Sequence, residues 1–254
     1  MLPEQNRAAR GRTARAHTLA VWRLGRIGSA RAAATVAREG VEGKAGASCA
    51  EVQAWHDRAM TPVNITGDDA ADALLSSDPL ALLIGMLLDQ QVTMEVAFAG
   101  PYKLQERLGG LDAEAIATRD AEEFVEICRE RPAIHRYPAA MAARIQALCA
   151  DLIQRWDGQA ETIWTKGAPD GAEVLRRLKS LPGFGPQKAA IFLALLGKQL
   201  GVEPAGWREA AGPYGEAGSC RSVADVTDAE TLARVRASKQ AVKRGAKAPG
   251  GRKP

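Results

Sequence analysis

The chain has 254 residues, 46% apolar and 25% charged, a balance typical of globular proteins that bury a sizeable core. The formal net charge of +4 and the pI near 9.0 favour an anionic partner only weakly. No apolar run reaches the ~20 residues of a membrane-spanning helix, since the longest ends at Asp89. The composition therefore predicts a globular protein with no membrane span.

Cysteine usage points to a reducing compartment. Cys49, Cys128, Cys149 and Cys220 are too far apart for a Cys-x-x-Cys metal or redox motif and too few for a disulfide framework. We predict reduced thiols, no metal site and a cytoplasmic protein. The abundance of Ala, Gly and Arg suggests a GC-rich coding sequence and hence a bacterial source.

The first segment, residues 1–59, is rich in Arg, Ala and Gly and lacks sustained apolar periodicity. Such a segment cannot bury enough surface to offset its chain entropy, so we predict a disordered basic extension. It is either a basic arm for nucleic acid, an Arg-rich transit peptide, or upstream sequence translated ahead of a true start at Met60.

Residues 60–243 show one helical pattern after another, which predicts an all-α domain. Asp78 followed by Pro79 is a helix start signal. Capping-box spacings at Asp120 and at Thr227 predict two further helix starts. One apolar stripe is predicted to pack in the core and comprises Met141, Ile145, Leu148 and Leu152. Residues 244–254 form a basic tail, either solvated or adding sequence-independent affinity for phosphates.

The segment LPGFGPQKAA, residues 181–190, separates two helical patterns. Its glycines, Gly183 and Gly185, keep side chains out of the turn, so that the free N–H groups of the second helix can face an anion. Phe184 is placed to fill the gap between the helices, and Lys188 lies one turn inside the second helix. The alternative is an ordinary helical hairpin whose glycines only make the turn tight.

This segment resembles the helix-hairpin-helix motif, Leu-Pro-Gly-hydrophobic-Gly followed by a helix. A second segment, DPLALLIGMLLDQQVTMEVA at residues 78–97, resembles the Leu-rich helix and Gln-containing turn of the helix-hairpin-helix base excision DNA glycosylases. The resemblance implies two helical lobes with a cleft for double-stranded DNA, in a monomeric protein associated with the bacterial nucleoid. It also implies hydrolysis of the N-glycosidic bond of a damaged or mismatched base.

The same resemblance implies roles for particular residues. The hairpin would bind the phosphates of one strand, sometimes through a monovalent cation, and Gln91 would help fill the hole left by an extruded nucleotide. A helix-capping role is the alternative for Gln91. The implied DNA-binding residues are Gly183, Phe184, Gly185, Gln187, Lys188 and Gln91.

Relatives that also cut the strand carry a lysine two residues after the hairpin's last glycine, where this chain has Gln187. Lys188, one residue later, is rotated by about 100° around the helix axis. We therefore expect no lyase activity. No iron–sulfur cluster is expected either, because relatives that hold one have four closely spaced cysteines after this region and only Cys220 lies there.

The family's catalytic aspartate is harder to place, because residues 201–220 replace a short loop. We favour Asp225, which follows a Gly/Pro loop and precedes a helix; Glu203 and Glu209 are the other candidates. The alternative for Asp225 is a polar residue without a catalytic role, in the turn before Thr227. Trp207 is a candidate to stack on a flipped base, and its alternative is a core anchor. If no acid reaches the cleft, the protein is a non-catalytic DNA-binding module; a helical protein-interaction domain is the third interpretation.

Overall fold

The computed structural model describes residues 63–247, and every regular element within that range is helical. The helices are α1 (Asp69–Ser77), α2 (Pro79–Leu88), α3 (Met94–Phe98), α4 (Gly100–Leu108), α5 (Ala113–Thr118), α6 (Ala121–Arg129), α7 (Pro138–Trp156), α8 (Thr162–Thr165), α9 (Gly171–Lys179), α10 (Pro186–Gln199), α11 (Trp207–Ala211) and α12 (Ala229–Lys247), with 3-10 turns at Gly212–Tyr214 and Val223–Asp225. The all-α prediction is confirmed. The predicted extension, residues 1–59, lies outside the described residues, as does the end of the tail beyond residue 247.

Side-chain caps set several helix starts. Asp78 accepts hydrogen bonds from the amides of Leu80 (2.8 Å) and Ala81 (3.2 Å), which confirms the predicted start of α2. Asp120 caps α6 in the same way. The predicted cap at Thr227 is wrong by one residue: Asp228 accepts from the Thr231 amide at 2.8 Å and α12 begins at Ala229. A carboxylate is the stronger acceptor there, so it takes the capping position.

The helices pack in two groups. Helices α1–α7 pack mainly on one another, and so do α8–α12. Every residue of α2 is buried, so this helix lies at the centre of the first group. The predicted stripe on α7 is buried as well, which confirms its core role. The hairpin between α9 and α10 belongs to the second group, and it contacts the C-terminal end of α2.

Two cysteines lie in the helical core. Cys128 and Cys149 are unpaired, and burial raises the pKa of each thiol to about 12. Both are therefore unreactive core residues. Within residues 63–247, no single helix has the length and apolar character to cross a membrane; only α1 and α2 together do so, and they are bent by 115°.

Candidate nucleic-acid interface

The turn between α9 and α10 is the predicted hairpin. Phe184 is 4% exposed and its ring meets Phe192 edge-on, with centroids 5.9 Å apart. Arg155 of α7 donates to the Ser180 hydroxyl at 2.9 Å, just before the turn. Phe184 therefore fills the space between the two helices, as the sequence predicts.

The two hairpin glycines have different roles. Gly183 has φ +79°, and a Cβ added there would lie 2.4 Å from Cδ1 of the buried Leu87 in α2. Gly185 has φ −78°, and an added Cβ would meet nothing within 4 Å. Gly183 is thus required by backbone conformation and packing, whereas the absence of a side chain at Gly185 leaves the start of α10 open.

The hairpin offers free hydrogen-bond donors and free acceptors. Within the described residues, the amides of Gly185, Gln187 and Lys188 have no backbone acceptor in the turn. Free amides at a helix start favour an anion through direct donation and through the helix dipole. The carbonyls of Pro182 and Gly183 accept no backbone hydrogen bond from the described residues. Oxygen ligands of this kind fit the monovalent cation that the resemblance implies, and that cation stays a prediction.

Lys188 joins the hairpin to the first group of helices. Its Nζ donates to the carbonyls of Met86 (2.8 Å) and Leu87 (2.6 Å) in the last turn of α2. Burial lowers the pKa of Lys188 to about 8, although the Asp89 carboxylate opposes the shift. The ammonium therefore caps α2 rather than extending into solvent. A phosphate contact by Lys188 would use its remaining N–H and stays a prediction.

Lys188→Met should reveal this burial as a change in pH dependence. The folded-state pKa lies below the ordinary value of 10.5, so the unfolded chain binds more protons between about pH 8 and pH 10.5. The stability of the wild type should therefore rise across this interval relative to the variant, by roughly 1–2 kcal/mol after allowance for solvent screening. Denaturant unfolding of both proteins at pH 7.5, 9 and 10.5 measures the difference. If the free energies of unfolding of the two proteins changed equally with pH, Lys188 would be solvated.

The turn after α2 is fixed by Gln90 and leaves Gln91 exposed. The Gln90 amide nitrogen donates to the Leu87 carbonyl at 2.7 Å, and its oxygen accepts from Arg144 at 2.6 Å. The Gln90 carbonyl also contacts Nε2 of His135 at 2.8 Å. Gln91 has φ +59°, a conformation that costs a non-glycine residue on the order of 1 kcal/mol. Gln90 and Lys188 thus cap α2, and both roles considered for Gln91 stay predictions.

Gln187 occupies the position where lyase-competent relatives have an amine. Its Nε2 donates to the Tyr214 hydroxyl at 3.0 Å, which ties α10 to the Gly/Pro loop. Gln187 is exposed at the start of α10, beside the open Gly185. A primary amide is not a nucleophile toward the sugar carbon, so this position supports no Schiff base.

Asp225 lies in a closed network. Its carboxylate is 4% exposed, forms an ion pair with Lys198 at 2.6 Å and accepts from the amides of Arg221 (2.9 Å) and Ser222 (3.1 Å). Lys198 lies roughly 16 Å further along the α10 axis than Gln187. Asp225 therefore caps a turn at the end of α10 remote from the hairpin. Its catalytic role stays a prediction, while these contacts alone explain its presence.

The remaining candidates lie in the same region. The Trp207 ring is 5% exposed and packs so closely on α10 that a Cβ at Gly197 would lie 2.6 Å from it. Its position fits a core anchor, and stacking on a base stays a prediction. Glu203 and Glu209 are exposed, and Glu203 lies 3.9 Å from Arg208.

The fold and this site together define an all-helical protein whose glycine hairpin and Gln-containing turn meet at the end of one buried helix. A family model described as HhH-GPD superfamily base excision DNA repair protein matches residues 84–248. The chain belongs to this family. The matched range holds the hairpin, the Gln90–Gln91 turn and α12. A comparison with curated proteins finds no match.

Several residues of the site were not predicted from the sequence. Gln90, His135 and Arg144 hold the turn after α2, and Glu95 with Arg236 joins α3 to α12. Only the DQQ triplet at residues 89–91 was a usable signal, because three consecutive polar residues end an otherwise apolar helix. The partners are too distant in sequence to be found from spacing.

Proposed function

We propose that the chain is a monofunctional DNA glycosylase. It hydrolyses the N-glycosidic bond of a damaged or mismatched base in double-stranded DNA and leaves the strand intact. Family membership supports a base excision DNA repair function with DNA as the substrate. We also propose that the protein acts as a monomer on the chromosomal DNA of a bacterial cytoplasm.

The hairpin supports binding to one strand's phosphates. The free amides at the start of α10 can donate to an anion with no side chain in the way, and Gly185 leaves room for close approach. Phosphate contacts of this kind fix the register of a protein on DNA but do not select a base.

The turn after α2 supports the extrusion of a nucleotide. A base inside a duplex is out of reach of an active site, so it must be flipped out at a cost of a few kcal/mol. Gln91 is an exposed polar side chain on a turn held rigidly by Gln90, which suits a residue that enters the vacated space. Its left-handed backbone is the kind of strain that collects at functional sites.

Gln187 is the single observation that carries the assignment as monofunctional. A bifunctional enzyme needs an amine that attacks the sugar, and the side chain at the matching position is an amide bound to Tyr214. The neighbouring Lys188 is occupied by two carbonyls of α2. The position from which lyase-competent relatives start strand cleavage therefore carries no amine.

A non-catalytic DNA-binding module is the second candidate function. The observation that favours it is the closed network around Asp225, whose carboxylate already accepts from Lys198 and two backbone amides. If Asp225 were the only acid available, catalysis would require that network to open.

Base release from lesion-bearing duplexes tests the proposed function. With duplexes that carry alkylated purines, uracil or oxidised guanine, we expect abasic product that breaks only after alkali treatment. Borohydride should trap no protein–DNA adduct with the wild type. Gln187→Lys is the matched control, because it places an amine at the missing position and should make the adduct trappable.

Two outcomes would contradict the assignment. A borohydride adduct formed by the wild type would show that another amine acts as a nucleophile. If duplexes bind but no lesion base is ever released, the non-catalytic module is the better description.

A further inference from the structure

The course of the chain returns α12 to the hairpin end of the molecule. Helix α10 runs away from the hairpin, and Gln199 at its far end donates to three carbonyls of the turn that precedes α12. Helix α12 then runs back, so that Arg236 contacts Glu95 of α3 and Lys239 lies within electrostatic reach of Asp89. The middle of α12 therefore lies beside the C-terminal end of α2.

Helix α12 continues past these contacts by about two turns. It ends at Lys247, eight residues or about 12 Å beyond Lys239. Val242 lies seven residues after the buried Val235 and hence on the same face of the helix, yet it is 70% exposed. Arg244 is exposed as well. The face of α12 that packs on the core at Val235 is therefore uncovered at Val242.

Basic residues recur along one side of α12. They occupy positions 236, 239, 243 and 247, which fall within an arc of roughly 80° around the helix axis. The first two positions face the carboxylates of Glu95 and Asp89. The sequence has no acidic residue after Glu230, so no carboxylate of α12 itself or of the tail neutralises the later positions. The basic stripe thus begins at ion pairs within the domain and continues beyond them.

The other groups at this end of the molecule suit an extended anion. Lys188 joins the start of α10 to the end of α2, so the free amides of the hairpin and the Gln90–Gln91 turn lie near the middle of α12. One strand of duplex DNA carries a phosphate about every 3.4 Å along the axis, and 12 Å of helix therefore spans roughly three to four phosphates. The charge and the length of the stripe match such a backbone.

We propose that residues 240–247 of α12 bind phosphates of duplex DNA next to the segment that the hairpin holds, a role that rests on the proposed function. Contacts of this kind add affinity for any base sequence. Arg236 and Lys239 anchor the helix to the domain through Glu95 and Asp89. The end of α12 and the hairpin then hold the duplex at two separate places, with the Gln90–Gln91 turn near both.

Reversal of one charge near the end of α12 tests this role. Lys243→Glu should lower the affinity for duplex DNA by about tenfold. The factor should be the same for an undamaged duplex and for one that carries a tetrahydrofuran abasic-site analogue, because phosphate contacts do not depend on the base. The slope of log affinity against log salt concentration should become shallower by about one. Fluorescence anisotropy of labelled duplexes at several salt concentrations measures both quantities.

Arg234→Glu is the matched control, because it reverses the same charge on the same helix. Arg234 is exposed, precedes the contact of Arg236 with Glu95, and lies about 200° around the axis from Arg236, outside the basic stripe. Its reversal should change the affinity by less than about threefold. Lys243→Arg keeps the charge and should bind as the wild type does. Melting curves check that each variant is folded.

The outcomes separate the role of α12 from the function on which it rests. If Lys243→Glu binds both duplexes at least as tightly as Arg234→Glu, or if Lys243→Arg loses as much affinity as Lys243→Glu, the phosphate contact is overturned. A loss confined to the abasic-site duplex also overturns it. Gly185→Leu covers the free amides of α10, so weaker binding in that variant alone would leave the hairpin as the DNA contact without α12. A wild type that binds neither duplex overturns the proposed function together with this role.

Discussion

Gly183→Ala is expected to destabilise the folded protein by about 2–4 kcal/mol. The left-handed φ of +79° costs a non-glycine residue on the order of 1 kcal/mol. The added methyl group would lie 2.4 Å from Cδ1 of Leu87, which is fully buried in α2, and overpacking of this kind typically costs about 1–3 kcal/mol. Denaturant unfolding monitored by circular dichroism measures the loss.

Gly185→Leu is the matched variant in the same turn. Its φ of −78° suits any residue and its Cβ position is open, so the melting temperature should change little. The leucine side chain would cover the free amides at the start of α10, and affinity for duplex DNA should fall by about tenfold or more. Replacing both glycines at once would mix the loss of stability with the loss of affinity.

Equilibrium binding at several salt concentrations completes the experiment. Wild-type affinity should fall steeply with salt, because each neutralised phosphate releases condensed counterions. A Gly185→Leu protein that binds DNA as tightly as the wild type, with the same salt dependence, would show that the hairpin does not hold phosphate. A Gly183→Ala protein of unchanged stability would show that Leu87 moves aside freely.

The hairpin and the helix starts were predictable because they depend on local sequence. Asp78 before Pro79 fixes the start of α2, and the Pro-Gly and Gly residues between two apolar patterns fix the turn before α10. Leu181 and Phe184 are the large apolar residues of that turn, so their burial followed from composition. The cap at Thr227 failed because two adjacent residues offered acceptors, and spacing could not choose between them.

The electrostatic part of the site was not predictable in this way. Lys188 contacts α2 across about a hundred positions of sequence, and the approach of α12 to Asp89 depends on how the chain returns after α10. Periodicity identifies which face of a helix is buried, but not which helix covers it. The motif could therefore place the hairpin turn, while the contact of Lys188 with α2 depends on the path of the whole chain.

Trp207→Ala should destabilise the folded protein more than Gly183→Ala does, by about 3–5 kcal/mol. The ring is 5% exposed and lies against Gly197 so closely that no Cβ fits between them. Gly171 at the start of α9 also packs on the Trp207 backbone, where an added Cβ would lie 2.4 Å from Cα. Removing the ring leaves a cavity among α9, α10 and α11, which the surrounding backbone cannot fill. Thermal unfolding of the variant measures the loss.

Tyr137→Ala is the control for Trp207→Ala, because Tyr137 is 43% exposed and its loss should change stability by less than about 0.5 kcal/mol. The pair distinguishes an anchor from a base-stacking residue. Removing an anchor lowers stability. At a temperature where the variant remains folded, its affinity for a duplex that carries a tetrahydrofuran abasic-site analogue should stay near the wild-type value. If Trp207→Ala instead keeps its melting temperature and loses release of one lesion base, Trp207 lines the base pocket, and the helices that hold it form part of that pocket.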